Sequence, residues 1–217
     1  MSSLKTVLKK LMPAKRQSPP GTSSAPRVVV GLRNPGADYD GTRHNLGFEV
    51  LDRLLRRRDL ALTRAPSRVG ALVAVDGSGD ERCLFAASTT YMNETGRVVR
   101  SLLAYYKVPP SDLLVLHDDI DLAFGRLRVQ VGRGSGGHNG VRSIEKALGT
   151  QEFNRLKIGV GRPPGSQDPA DFVLRPFTKK ERPEVDLIVE EAADVVDLWL
   201  DDRARAQELA AHRGRDD

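Results

Sequence analysis

The chain has 217 residues, 39% hydrophobic and 29% charged, with a formal net charge of +5. It can bury a sizeable core as one domain or two small ones; no apolar run nears the roughly 18 residues of a membrane span, and a single cysteine, Cys83, excludes an internal disulfide and suits a reducing compartment. The charge is zoned: residues 1–26 carry five Lys and Arg and no acid, residues 27–180 carry 24 Lys and Arg against 17 Asp and Glu, and residues 181–217 carry 12 acids against 5 Lys and Arg. A basic body is compatible with a polyanionic partner.

Residues 1–26 read as a basic N-terminal extension. Leu4, Val7, Leu8 and Leu11 fall at helical spacing among lysines, and the Pro/Ser-rich PAKRQSPPGTSSAP follows. A disordered extension of a cytoplasmic protein is expected; an organelle-targeting segment is the alternative. From Arg27 the pattern turns α/β. RVVVGL is a buried strand, and residues 46–58 form an amphipathic helix with Phe48, Leu51, Leu54 and Leu55 on one side. GALVAV and RCLFAA flank DGSGDE as a hairpin. Residues 94–107 form a helix with Val98, Val99, Leu102, Leu103 and Tyr106 inward. SDLLVLHDDID, GRLRVQVG and NRLKIGVGR are strands, with the helix VRSIEKALG before the last and Gly149 placed to end it. Thr178 and Glu181 make a capping box for a final helix to about Trp199, with Leu187, Ala192, Val195 and Leu198 apolar. The alternation predicts one α/β domain over residues 27–200, with a central mixed, twisted sheet and helices on both sides, then a charged tail over 201–217.

In open α/β sheets ligands bind beyond the carboxyl ends of strands. Four strands lead there into polar, glycine-containing stretches: RNPGADYDGTRHN, STTYMNETG, DDIDLAFG and GRGSGGHNG. Asn45, Asn93 and Asn139 stand at or before helix starts, and Asn34 sits in an N-P-G turn. Each could be a cap or turn residue. Together they offer neutral donors and acceptors for an amide or acyl group, near helix ends that favour negative charge. His44 could be a surface residue, a cap, a ligand or a base; as a base it suits neutral pH, and Asp118 is available to orient it. Arg43 could steer a substrate or simply be solvated. His117 could end its strand or join Asp119 and Asp121 at a metal, a spacing that matches no familiar ligand set. There is no nucleophile elbow around Ser135 and no P-loop. Cys83 lies mid-strand. A His–Asp pair activating water remains.

GLRNPGADYDGTRHNLGF, TTYMNETG, LLVLHDDIDLAFGRLRV, GRGSGGHNGVRSI and FNRLKIGVGRP, in that order, resemble the bacterial-type peptidyl-tRNA hydrolases from about Val28 to about Trp199. The resemblance implies hydrolysis of the ester between a peptide and the 3′ ribose of tRNA by a cytoplasmic monomer, with no metal or other cofactor. It implies His44 as base, Asp118 as its partner and Asn34 as the residue placing ester and water. Asn93 and Asn139 would bind the peptide, Tyr39 would stack near the tRNA end, and Met92 and His138 would line the cleft. The tRNA phosphate grip would fall to Lys157 with Arg128 and Arg133, since Gln130 stands where the family usually has a cation and Arg133 where it has a glycine. The rival readings are RNA binding without hydrolysis, an esterase for another acyl group, and a metal hydrolase on His117, Asp119 and Asp121.

Overall fold

Residues 28–30 show no polar alternation, the mark of a strand covered on both faces. As β1 (Arg27–Gly31) they lie at the sheet centre with a parallel neighbour on each side. A computed structural model describes residues 26–78 and 82–212, so the extension expected over residues 1–26 lies almost wholly outside the described residues. The other strands are β2 (Thr63–Arg64), β3 (Ala71–Asp76), β4 (Cys83–Ser88), β5 (Leu113–Asp119), β6 (Leu127–Val131) and β7 (Asn154–Gly159). The sheet order is β2-β3-β4-β1-β5-β7-β6. β4, β1, β5 and β7 run parallel, and the antiparallel strands β3 and β6 flank them. The expected mixed sheet and the β3–β4 pair are therefore both present.

Strand alternation sends successive side chains to opposite faces, and the core divides accordingly. Val29, Phe85, Leu114, Leu116 and Leu156 pack with α1 (Leu46–Arg57) and α5 (Arg182–Asp201). Val28, Val30, Leu84 and Val115 pack with α2 (Thr95–Tyr106) and α3 (Asn139–Leu148). α1 approaches the sheet closely at Gly47, where a Cβ would meet Leu116 O at 2.1 Å. Gly149, at φ +68°, ends α3 by donating its N–H to Glu145 O. Thr178 N donates to Glu181 Oε2 at 2.7 Å and Glu181 N to Thr178 Oγ1 at 3.3 Å, the expected reciprocal cap before α5.

Two expectations need correcting. The buried face of α5 is Val185, Ile188, Val189, Ala192, Ala193, Val195, Val196 and Trp199, which includes the expected Ala192 and Val195, while Leu187 is 56% exposed. The stretch read as a charged tail contains α6 (Arg203–His212), opened by Asp202, whose Oδ1 accepts from Ala204 N and Arg205 N at 3.1 Å. α6 buries Ala206, Leu209 and Ala210 in the same cluster as Leu127 and Val129 of β6. The charge zoning also has a structural basis. Arg53 and Arg57 of α1 and Arg58 just after it pair with Glu190, Asp194 and Asp197 of α5. Part of the basic surplus of the body is thus matched within the chain.

Candidate active site

Beyond β1 the chain turns at Asn34, whose backbone is gripped twice by one side chain. Asn34 N donates to Asn45 Oδ1 at 2.8 Å, and Asn45 Nδ2 donates to Asn34 O at 3.0 Å. Asn34 Oδ1 accepts from Met92 N at 2.8 Å, which turns the amide nitrogen into the group left for a ligand. Between Asn34 and Asn45 the chain makes a 3-10 turn, Arg43–Asn45, that opens into α1 and carries His44.

His44 Nδ1 lies 2.9 Å from Asp118 Oδ1, near the end of β5. His138 Nε2 lies 3.0 Å from the same oxygen. His138 Nδ1 accepts from Gly140 N at 3.1 Å and Val141 N at 3.3 Å, so this ring is the N-cap of α3. Two backbone donors on Nδ1 fix His138 as the neutral tautomer with its proton on Nε2, aimed at Asp118. Burial, with the His44 charge added to it, holds the pKa of His138 below its ordinary value against the raising effect of Asp118. His44 is tuned the other way: burial works to lower its pKa, but the Asp118 charge and hydrogen bond together raise it above the ordinary 6.5. Burial would likewise raise the Asp118 carboxyl, yet the two imidazoles hold it well below the usual carboxylate range. Asp118 is therefore an anion receiving two N–H bonds, and His44 keeps Nε2 as a proton acceptor.

These groups line a cavity of about 740 Å³ with Asn34, Met92, Asn93 and Asn139. Neither Asn93 nor Asn139 caps its helix, so the bland reading of both is set aside. The remaining lining includes Tyr91, Ile120, the loop 135–137 and an apolar segment with Pro169, Ala170, Val173 and Leu174. Tyr39 is not in the wall; its ring meets that of Tyr91 edge-on at 6.2 Å. Arg128, Arg133 and Lys157 lie outside the cavity too. Arg128 and Arg133 are exposed, whereas Lys157 is 17% exposed and ion-paired with Asp119 at 2.6 Å.

The sequence left four features unassigned. Asn45 appeared there as a helix-start residue and is in fact the clamp on Asn34. Arg155, 1% exposed, donates to the carbonyls of Gly132, Arg133 and Gly134 and so holds the glycine-rich loop ahead of His138. An arginine on a strand face shared with Val115 was its only signal. The short helix α4 (Pro169–Val173), capped by Asp168, supplies one wall; the Asp-Pro pair was a readable helix start. Arg43 is buried and neither solvated nor placed to steer.

The metal reading on His117, Asp119 and Asp121 is not assembled. His117 Nδ1 donates to Asp118 O at 2.6 Å, Asp119 is paired with Lys157, and Asp121 with Arg162. Among the described residues, His44, Asp118 and His138 are the one group whose donor atoms converge enough for an ion. Both imidazole atoms already bond to the carboxylate, so an ion would have to displace two hydrogen bonds. Cys83, expected mid-strand, is the buried first residue of β4; its thiol is pushed up to about 12 by burial, and it lies outside the cavity.

The sequence model of the peptidyl-tRNA hydrolases matches residues 28–216. The chain belongs to the peptidyl-tRNA hydrolase family. A peptidyl-tRNA hydrolase of Mycobacterium bovis is 52% identical over 176 residues, 81% of this chain and 92% of that one. One of Mycobacterium marinum is 51% identical over the same span. The crystal structure of the Acinetobacter baumannii peptidyl-tRNA hydrolase superposes with a TM-score of 0.79 at 29% identity, covering 88% of this chain and 97% of that one.

Proposed function

We propose that this peptidyl-tRNA hydrolase cleaves the ester between a peptide, or an N-blocked amino acid, and the 3′ ribose of tRNA with His44 as general base. The observation that carries the assignment is the 2.9 Å bond from His44 Nδ1 to Asp118 Oδ1, which commits that proton and frees Nε2. His44 takes a proton from water as the water oxygen attacks the ester carbonyl carbon. The ester C–O bond then breaks, and the departing 3′ oxygen takes up a proton. The Asn34 amide places the ester and water, and Asn93 and Asn139 hold the peptide amides and the oxyanion. Met92 lines the peptide part, and Tyr39 stacks near the terminal nucleotide with Tyr91 beside it. Arg128 and Arg133 meet tRNA phosphates, and Lys157 holds Asp119 at the cavity edge. No metal takes part, and the enzyme acts as a cytoplasmic monomer. No helix among the described residues is long and apolar enough to cross a membrane.

The test is release of deacylated tRNA from an N-acetyl aminoacyl-tRNA, with and without chelator, beside His44→Ala. General-base catalysis is worth about 10²–10⁴-fold, so the variant should lose at least that much turnover with its melting temperature kept, and chelator should leave the intact enzyme unaffected. Near-normal turnover in the variant would remove His44 from the role. Loss of activity in chelator would return the reaction to a metal.

A further inference from the structure

Arg43 precedes the base by one residue and is 5% exposed. Its Nη1 donates to the carbonyls of Arg175 and Pro176, both at 3.1 Å, and its Nη2 to Glu181 Oε1 at 2.6 Å. The guanidinium lies over the rings of Phe172 at 4.3 Å and Phe177 at 4.8 Å. All five partners fall within residues 172–181. The backbones run together here as well: Arg43 N donates to Arg175 O, Phe177 N to Gly41 O, and Thr42 bridges Pro176.

Residues 161–176 are otherwise an exposed excursion between β7 and α5, in which Val173 is the one buried residue. Yet Pro169, Ala170, Val173 and Leu174 form a wall of the cavity. So little buried surface does not by itself fix a segment. A desolvated guanidinium is held in place by its fixed fork of donors and its stacking face, and it holds its partners equally. The ties that align the chemistry run elsewhere: His44 to Asp118, and Asn45 to Asn34. With Met92 and Ile120, which also line the cavity, the four wall residues give it an apolar part beside the polar groups of Asn34, His44, Asp118 and Asp168, and apolar lining suits amino-acid side chains rather than phosphates or ribose.

We propose that Arg43 is a positioning residue that holds the 168–174 wall against the acyl part of the substrate, and so sets affinity for bulky acyl groups rather than the rate of the chemical step. This rests on His44 being the base. The test compares Arg43→Met, Arg43→Lys and Phe172→Ala on N-acetyl-phenylalanyl-tRNA and N-acetyl-glycyl-tRNA. For Arg43→Met, KM for the phenylalanyl substrate should rise about tenfold, that for the glycyl substrate should rise less, and kcat should stay within about twofold with its pH profile in place. Arg43→Lys keeps the charge for Glu181 and should recover part of the loss. A fall in kcat at constant KM, or an equal rise in KM for both substrates, would overturn the proposal. Should Arg43→Met not fold, Phe172→Ala carries the same comparison beside its melting curve, and an unchanged KM there overturns it too. Failure of the base assignment is separate, because it appears as turnover retained by His44→Ala whatever the KM pattern.

Discussion

A single oxygen organises the site. Asp118 Oδ1 receives both His44 and His138, but the two imidazoles answer pH differently. The Nδ1 of His138 is occupied by two backbone donors, so His44 is the ring of this pair that gains and loses a proton in the working range. Its pKa is raised above 6.5, and a base must be neutral to act. The acid limb of kcat should therefore fall as pH drops through a value above 6.5. Asp118→Asn removes the charge that raises His44 and leaves burial alone to act on it. The limb should then move to lower pH, with turnover down about 10²–10⁴-fold. A limb that stays put in the pH–rate profile would assign the titration to another group. At this scale the pairing of His44 with Asp118 was legible because an imidazole and a carboxylate placed at strand ends mark a candidate base and its anion. Asn45 and Arg155 were not, because an asparagine at a helix start and an arginine in a strand each look ordinary until the loop they hold is in place.

Elements bring these residues together through backbone contact. Gly47 stands three residues after His44, against the carbonyl of Leu116, two residues before Asp118. A methyl there would meet Leu116 O at 2.1 Å and push the start of α1, with His44, off β5. Gly47→Ala should cost about 1–3 kcal/mol of stability, typical of overpacking, and lower kcat more than KM. Gly134→Ala, with nothing within 4 Å of the added carbon, is the control. Thermal melts beside kinetics on both variants check this, and equal effects would mean the close approach is not what sets the base. The strands and the long helices were readable from periodicity, and so was the Thr178–Glu181 box. α6 was missed because three small or apolar residues among charges carry almost no periodic signal, and its buried face exists only once β6 offers one.

Across the molecule some arginines are ion-paired within the fold and others are left exposed. Arg53, Arg57 and Arg58 are paired with α5, while Arg128 and Arg133 stay exposed around β6, on and beside a face that α6 does not cover. Net charge read along the sequence could not separate the two sets, because pairing across 137 residues of chain leaves no local trace. Arg128→Glu with Arg133→Glu should raise KM for tRNA substrates and flatten the dependence of log affinity on log salt by about two, one for each phosphate that the pair of arginines neutralises. Arg57→Gln should lower the melting temperature and leave that slope alone. Filter binding of tRNA across a salt series would tell them apart, and a flatter slope in Arg57→Gln would move the RNA surface to α1.

The sheet order has a consequence for how the enzyme is made. β6 precedes β7 in the chain, but among the described residues its one neighbour in the sheet is β7, which lies between it and β5. Until Asn154–Gly159 has been added, β6 lacks its partner in the sheet and the loop after it lacks the hydrogen bonds from Arg155. The wall at α4 and the ion pair at Glu181 come later still. A growing chain on the ribosome is itself a peptide esterified to tRNA, the very bond this enzyme breaks. In chain order, Arg155 on β7 comes after His44, Asp118 and His138, so the loop leading to His138 is tied by a residue made later than all three.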